Sequence, residues 1–181
     1  MCQFDSLPIL PAGTPPQKIP AGYEGFSWSL LNYQSCPAAL CPAGGPPVAG
    51  FSAPNVAVSN PVNGLDGPLP VGVISAPPGK TYTLKGFALY DMLRVSDLTG
   101  AGFVTLACLR ANDGSVGQDF YVAPDADYVY RITPAVLGGT QWRDIVFCVV
   151  SLQAGTVPGL PGVAPRAPFM LDGVEVCLDR A

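Results

Sequence analysis

Phe169-Met170-Leu171-Asp172-Gly173-Val174-Glu175-Val176-Cys177 stands near the end of the chain, and Cys2-Gln3-Phe4-Asp5-Ser6-Leu7 mirrors it at the start. Each stretch carries a cysteine, an aromatic ring and an aspartate at short range. The C-terminal stretch reads as a strand at the solvent-lined edge of an all-β shell. If the two stretches pair, adjacent N- and C-terminal strands close one domain over residues 1–181.

Composition agrees with a single β domain. The chain has 181 residues, 49% of them apolar, with 21 glycines and 21 prolines, a density of breakers that interrupts any long helix. Charged residues make up 12%, against about 25% in ordinary soluble chains. Nine basic residues are scattered in a chain of net charge -4, so there is no stripe to hold phosphates and no nucleic-acid partner is expected. No apolar run of about 18 residues occurs, which argues against a helical membrane span. Met1-Cys2-Gln3-Phe4 has neither a basic nor an apolar leader segment. Six cysteines nevertheless fit an oxidising compartment, and the expectation is a secreted, extracellular protein with its signal peptide absent from this sequence. Buried free thiols in a cytosolic protein are the alternative.

Segments 8–22, 35–50 and 155–168 are rich in glycine and proline and are expected as surface loops. Alternation in Gly25–Leu31 puts Phe26, Trp28 and Leu30 on one side of a half-buried strand. Further strands are expected around 56–58 and over 71–75, 81–93, 102–110, 118–122, 128–133, 142–152 and 169–178, with a tight turn at Asn112-Asp113-Gly114. Strands of this length between turns indicate a sandwich of two antiparallel sheets. In Tyr82–Tyr90 the alternation changes phase across Gly86, the signature of a β-bulge.

Cys2 and Cys177 lie at matching distances from the chain ends and would staple neighbouring terminal strands. Cys36 and Cys41 are spaced for a local bridge, and Cys108 and Cys148 each sit in an apolar strand, as an inter-strand bridge or two buried thiols. Six cysteines allow fifteen pairings, and topology selects this one. Structural zinc is disfavoured by the single short cysteine pair and the absence of histidine.

The lack of histidine also removes the Ser-His-Asp and Cys-His arrangements, and no phosphate-cradling loop or dinucleotide fingerprint is present. No catalytic residue is assigned and no enzyme is expected. A glycoside-active enzyme using carboxylates is the alternative, with Glu24, ahead of Phe26 and Trp28, the first residue to test. Calcium is more plausible than catalysis: Asp5 and Asp172 would approach one another if the ends pair, and a hard cation takes carboxylate and carbonyl oxygens. Tyr90, Asp91, Arg94, Tyr128 and Tyr130 form the candidate ligand-binding group. Tyr128 and Tyr130 are expected on one face of a strand, with Asp91 and Arg94 at the rim.

The order of motifs resembles small secreted proteins, many of them fungal, that are related in pattern to galactose-binding-like jelly rolls and carbohydrate-binding modules. Phe4-Asp5-Ser6-Leu7, Ile19 to Trp28 and Phe169 to Val176 carry the likeness, with Tyr82 to Phe87 and Trp142 to Phe147 at core-strand positions. The resemblance implies a jelly-roll β-sandwich with adjacent termini, a structural Ca2+ near Asp5 and Asp172, and sugar binding or no known activity. The expected function is a secreted, non-catalytic β-sandwich that binds glycan or an extracellular component, as a monomer or weak oligomer. A structural or host-interaction protein of the same fold is the alternative.

Overall fold

The computed structural model describes residues 4–38, 40–41, 48, 50–59, 70–92, 103–112, 114–153 and 166–179. Twelve strands lie among them: β1 (Gln17–Lys18), β2 (Ser27–Ser29), β3 (Leu31–Ser35), β4 (Asn55–Ser59), β5 (Val71–Ser75), β6 (Tyr82–Asp91), β7 (Phe103–Arg110), β8 (Gly114–Phe120), β9 (Val129–Ile132), β10 (Ile145–Gln153), β11 (Arg166–Ala167) and β12 (Phe169–Leu178). One four-residue helix, α1 (Pro134–Leu137), is capped by the Thr133 hydroxyl, which accepts from the Val136 amide. Every strand pairing is antiparallel. The fold is therefore an all-β, sandwich-like one.

The strands form two runs. One runs β1-β3-β4-β12-β6-β9 and the other β2-β5-β10-β7-β8, and the pair Ile145–Tyr82 joins them between β10 and β6. Alternate residues of both runs meet in one core that includes Trp28, Ile74, Leu89, Leu106, Val150 and Leu171. Tyr82 lies wholly inside it and donates its hydroxyl to the Ile74 carbonyl at 3.0 Å. The other face of the first run is also covered: Val56, Val58, Ala88, Tyr90 and Met170 pack with Leu40 and Phe51 in a second cluster. Within segment 35–50, expected as a surface loop, Leu40 is completely buried.

Burial on two faces explains why the C-terminal stretch was misplaced by its pattern. It is not an edge: β12 lies between β4 and β6 and is buried from Phe169 to Val174. Nor, among the described residues, do the chain ends pair as strands. Phe4–Ser6 is a 3-10 turn that packs on β4, held by the Asn55 amide, which donates to the Leu7 carbonyl at 2.8 Å. Cys177 is a free, exposed thiol; Cys2, its expected partner, lies outside the described residues. The other two bridges, Cys36–Cys41 and Cys108–Cys148, are present.

The expected strands over 71–75 and 169–178 match β5 and β12. The expected strand Gly25–Leu31 breaks at Leu30, whose φ of 61° turns the chain from β2 into β3 and leaves that side chain 48% exposed. Phe26 and Trp28 are buried as their alternation implied.

The bulge at Gly86 is where β6 and β12 change register, opposite Glu175. Gly173, on the other side of it, has a φ of 59°, and a Cβ there would lie 2.6 Å from the Gly50 carbonyl oxygen. Gly173→Ala is accordingly expected to cost about 3 kcal/mol in chemical denaturation. Gly79→Ala, at a φ of 72° with nothing near its Cβ, should cost only about 1 kcal/mol; equal losses would show that the contact with Gly50 does not matter.

Candidate functional site

Two places in the structure carry chemistry worth deriving. The first is built where β12 passes beneath the segment before β4. Asp172 follows Leu171 and so points away from the main core, on the same face as Met170. It is 0% exposed. The Ser52 amide donates to its Oδ2 at 2.7 Å, and the Ser52 Oγ lies 3.0 Å from that oxygen and 3.0 Å from Oδ1 of Asp5. Asp5 and Asp172 are therefore brought together, as their sequence positions suggested, with Ser52 between them rather than by strand pairing.

A hydroxyl has one proton to donate. With both carboxyls ionised, one of the two contacts to Ser52 lacks a hydrogen; one added proton on a carboxyl completes the chain. Burial pushes the Asp172 carboxyl up to about 7, against the opposing effect of its hydrogen bonds and with a further upward push from the Asp5 charge. Burial also raises Asp5, opposed by the Ser52 hydroxyl. The Oδ1 of Asp172 is buried without a hydrogen-bond partner. Ser52 carried no signal in sequence, being one serine in an irregular stretch. Asn55 did carry one, as an amide directly ahead of Val56-Ala57-Val58.

The expected ligand-binding group is not an exposed platform. Tyr130 is wholly inside the main core, and Tyr90 packs in the second cluster beside Val129. Asp91 is buried completely, and Arg94 lies outside the described residues. Tyr128 and Tyr130 do not share a face, because Tyr128 has a φ of 63° just before β9 and leans on the second cluster instead. Arg131 is in an ion pair with Asp125. Glu24 sits in the exposed turn Tyr23–Gly25 at a φ of 52°.

The second place is the outward face of β2-β5-β10-β7-β8. Residues of these strands that miss the core include, by register, two adjoining rows, Ser27-Ser75-Phe147-Leu109-Ser115 and Ser29-Val73-Val149-Ala107-Gly117, followed by Val71-Ser151-Thr105-Asp119. Next to them a polar chain crosses the sheet, in which Gln153 donates to Thr105 at 3.2 Å and Thr105 donates to Asp119 at 2.7 Å. Beyond it Tyr121, 76% exposed, meets Phe103 with ring centroids 5.0 Å apart.

Among the described residues, no group of three or more Cys, Asp or Glu side chains is placed to hold a metal ion. No helix among them is long and apolar enough to cross a membrane. No family model matches the chain, and no curated protein matches it either.

Asp172 makes stability depend on pH with a definite sign. Its folded value of about 7 stands above the ordinary 3.8, so between these values the folded state binds more protons. Stability is full below the lower value and is lost as pH rises through the upper one. In chelator, thermal melting should fall by roughly 5–10 °C from about pH 5 to 8, at about 1.4 kcal/mol per unit. Asp172→Asn, which stays neutral, should flatten this trend; parallel profiles for the two proteins would refute the assignment.

Proposed function

We propose that the protein is a non-catalytic, secreted structural or interaction module that works by contact with protein through the outward face of β2-β5-β10-β7-β8. That face is the observation that carries the reading: among the described residues its middle is Phe147, Leu109, Val73, Val149 and Ala107, with Leu109 and Ala107 exposed and the other three half-buried. Contiguous apolar surface of this kind marks contact sites. Two disulfides support an oxidising, extracellular setting. A jelly roll is proposed for the fold because the orders β4-β12-β6-β9 and β5-β10-β7-β8 are those of two interleaved Greek keys.

Glycan binding is a second reading, and it moves from the buried tyrosines to Tyr121 and Phe103, since a flat exposed ring suits a sugar face. A structural calcium ion remains a proposal for the Asp5–Ser52–Asp172 cluster, favoured by the unpartnered Oδ1 of Asp172. The residues fit in part. Asp5, Asp172 and the Ser52 hydroxyl supply some of the six to eight oxygens that calcium takes, and backbone carbonyls would have to supply the rest. The ion would neutralise the two carboxylates in place of the proton.

Cross-linking of the intact protein in extracellular material, comparing it with Leu109→Lys, tests the contact reading; partners lost on substitution are expected, and identical capture by both would sink it. A glycan array is expected to give no signal that Tyr121→Ala abolishes; such a signal would install the sugar reading instead. Calcium should raise the melting temperature at about pH 8, where the proton is gone, far more than at pH 5. Asp5→Asn should remove that gain, and no calcium response at either pH would eliminate the ion.

A further inference from the structure

We infer that the partner of the β2-β5-β10-β7-β8 face is a second copy of this chain, docked face to face about a two-fold axis. This rests on the contact reading above and commits it to one occupant.

The relief of the face is self-complementary. In the first row the centre is tall, at Phe147 and Leu109, and falls to serine at both sides. In the neighbouring row the height drops on the β7 and β8 side, where Ala107 is followed by Gly117, which has no side chain at all. Leu109, 39% exposed, therefore stands beside a trough over Ala107 and Gly117. A two-fold axis lying in the plane of the contact, across the strands and between the two rows, brings the Leu109 ridge of one copy over the trough of the other, and the reverse contact follows by symmetry. A partner of unrelated shape has no reason to match both features.

Charge selects the same occupant. Among the outward positions of these strands the one ionisable side chain is Asp119, and it already accepts from Thr105. Gln153 is likewise engaged, by Thr105. Nothing on the face recognises an acidic or basic partner, and two copies meet without like charges at the centre. Gln153, Thr105 and Asp119 bond one another within the sheet, so none of these three is left without a partner by the contact.

Size sets the strength. Five strands spaced about 4.8 Å apart, each showing roughly six residues at about 3.3 Å, project on the order of 500 Å² per copy. Two such faces reach about 1,000 Å² in total, the lower end of specific interfaces. A reversible dimer with a dissociation constant in the range of about 1–100 μM is expected. The edge strand β8 carries no lysine or proline to discourage approach.

Sedimentation equilibrium of the intact, oxidised protein from about 1 to 500 μM tests this across the expected range. The wild type should pass from monomer to dimer. Leu109→Lys and, separately, Ala107→Arg, which fills the trough, should each weaken dimerisation at least about tenfold, with Phe147 untouched and circular dichroism and melting unchanged. Ile9→Lys, at an exposed apolar residue on the arm, should dimerise like the wild type. A wild type monomeric throughout, or an undiminished dimer in both variants, overturns the proposal. A monomeric wild type that still captures another protein through Leu109 rejects the second copy while leaving the contact reading standing. Loss of capture as well rejects both.

Discussion

Everything in this fold depends on the ladder between β6 and β12, which runs from the Phe169–Asp91 pair to the Leu178–Tyr82 pair. From Gly86 to Asp91 and from Phe169 to Val174 these two strands are buried on both faces, one against the main core and the other against the cluster around Leu40 and Phe51. Near-continuous burial leaves little room for charge, which is why the few polar groups in them are so constrained. Asp91 and Asp172 lie on opposite strands of this ladder, and both are buried. A carboxyl in that position must be hydrogen-bonded, protonated or matched by a cation. The Ser52 contacts are the local answer at Asp172, and they draw the N-terminal turn onto the sheet through Asp5.

The bulge opposite Gly86 reconciles two requirements of the same ladder. Tyr82 and Leu84 face the main core before it, while Phe87 and Leu89 do so after it. A strand with strict alternation would turn one of these pairs outward. One extra residue on each strand, between Asp172 and Glu175 of β12 and between Leu84 and Gly86 of β6, absorbs the mismatch, and glycine is needed at 173 because the Gly50 carbonyl occupies the space of a side chain. The same close approach holds Gly50, next to Phe51 of the second cluster, against β12, so the second cluster and the bulge are parts of one arrangement.

Local signals in the sequence were strong where a strand has one buried face. Val71–Ser75, the phase change at Gly86 and the burial of Phe26 and Trp28 follow directly from period and turn chemistry. Reading failed where side chains are buried on both sides. Phe169 to Val174 then reads as an uninterrupted run whose neighbours are not encoded locally, and its place between β4 and β6 required the tertiary structure. Leu30 and Tyr128 failed for a different reason: both adopt left-handed backbone angles that non-glycine residues seldom take, so alternation across them was broken without a visible marker. The pairing of Asp5 with Asp172 was legible as proximity, but the intermediary Ser52 was not.

The rings expected to bind ligand are buried at Tyr90 and Tyr130 and half-buried at Tyr128, because this protein uses tyrosine as filling. With charges scarce, large amphipathic side chains complete two cores, each hydroxyl needing only one partner, as Tyr82 finds in the Ile74 carbonyl. What then remains for the surface is decided by alternation on β5, β7 and β10. Their inward residues are committed to the core, and their outward residues, polar at Ser75, Ser151, Thr105 and Gln153, are valine, phenylalanine, leucine and alanine at the middle of the face. A sheet built for water on one side would show polar residues at these positions. The polar chain from Gln153 to Asp119 spends its hydrogen-bonding capacity within the sheet, leaving the adjoining apolar rows suited to another flat surface of the same kind.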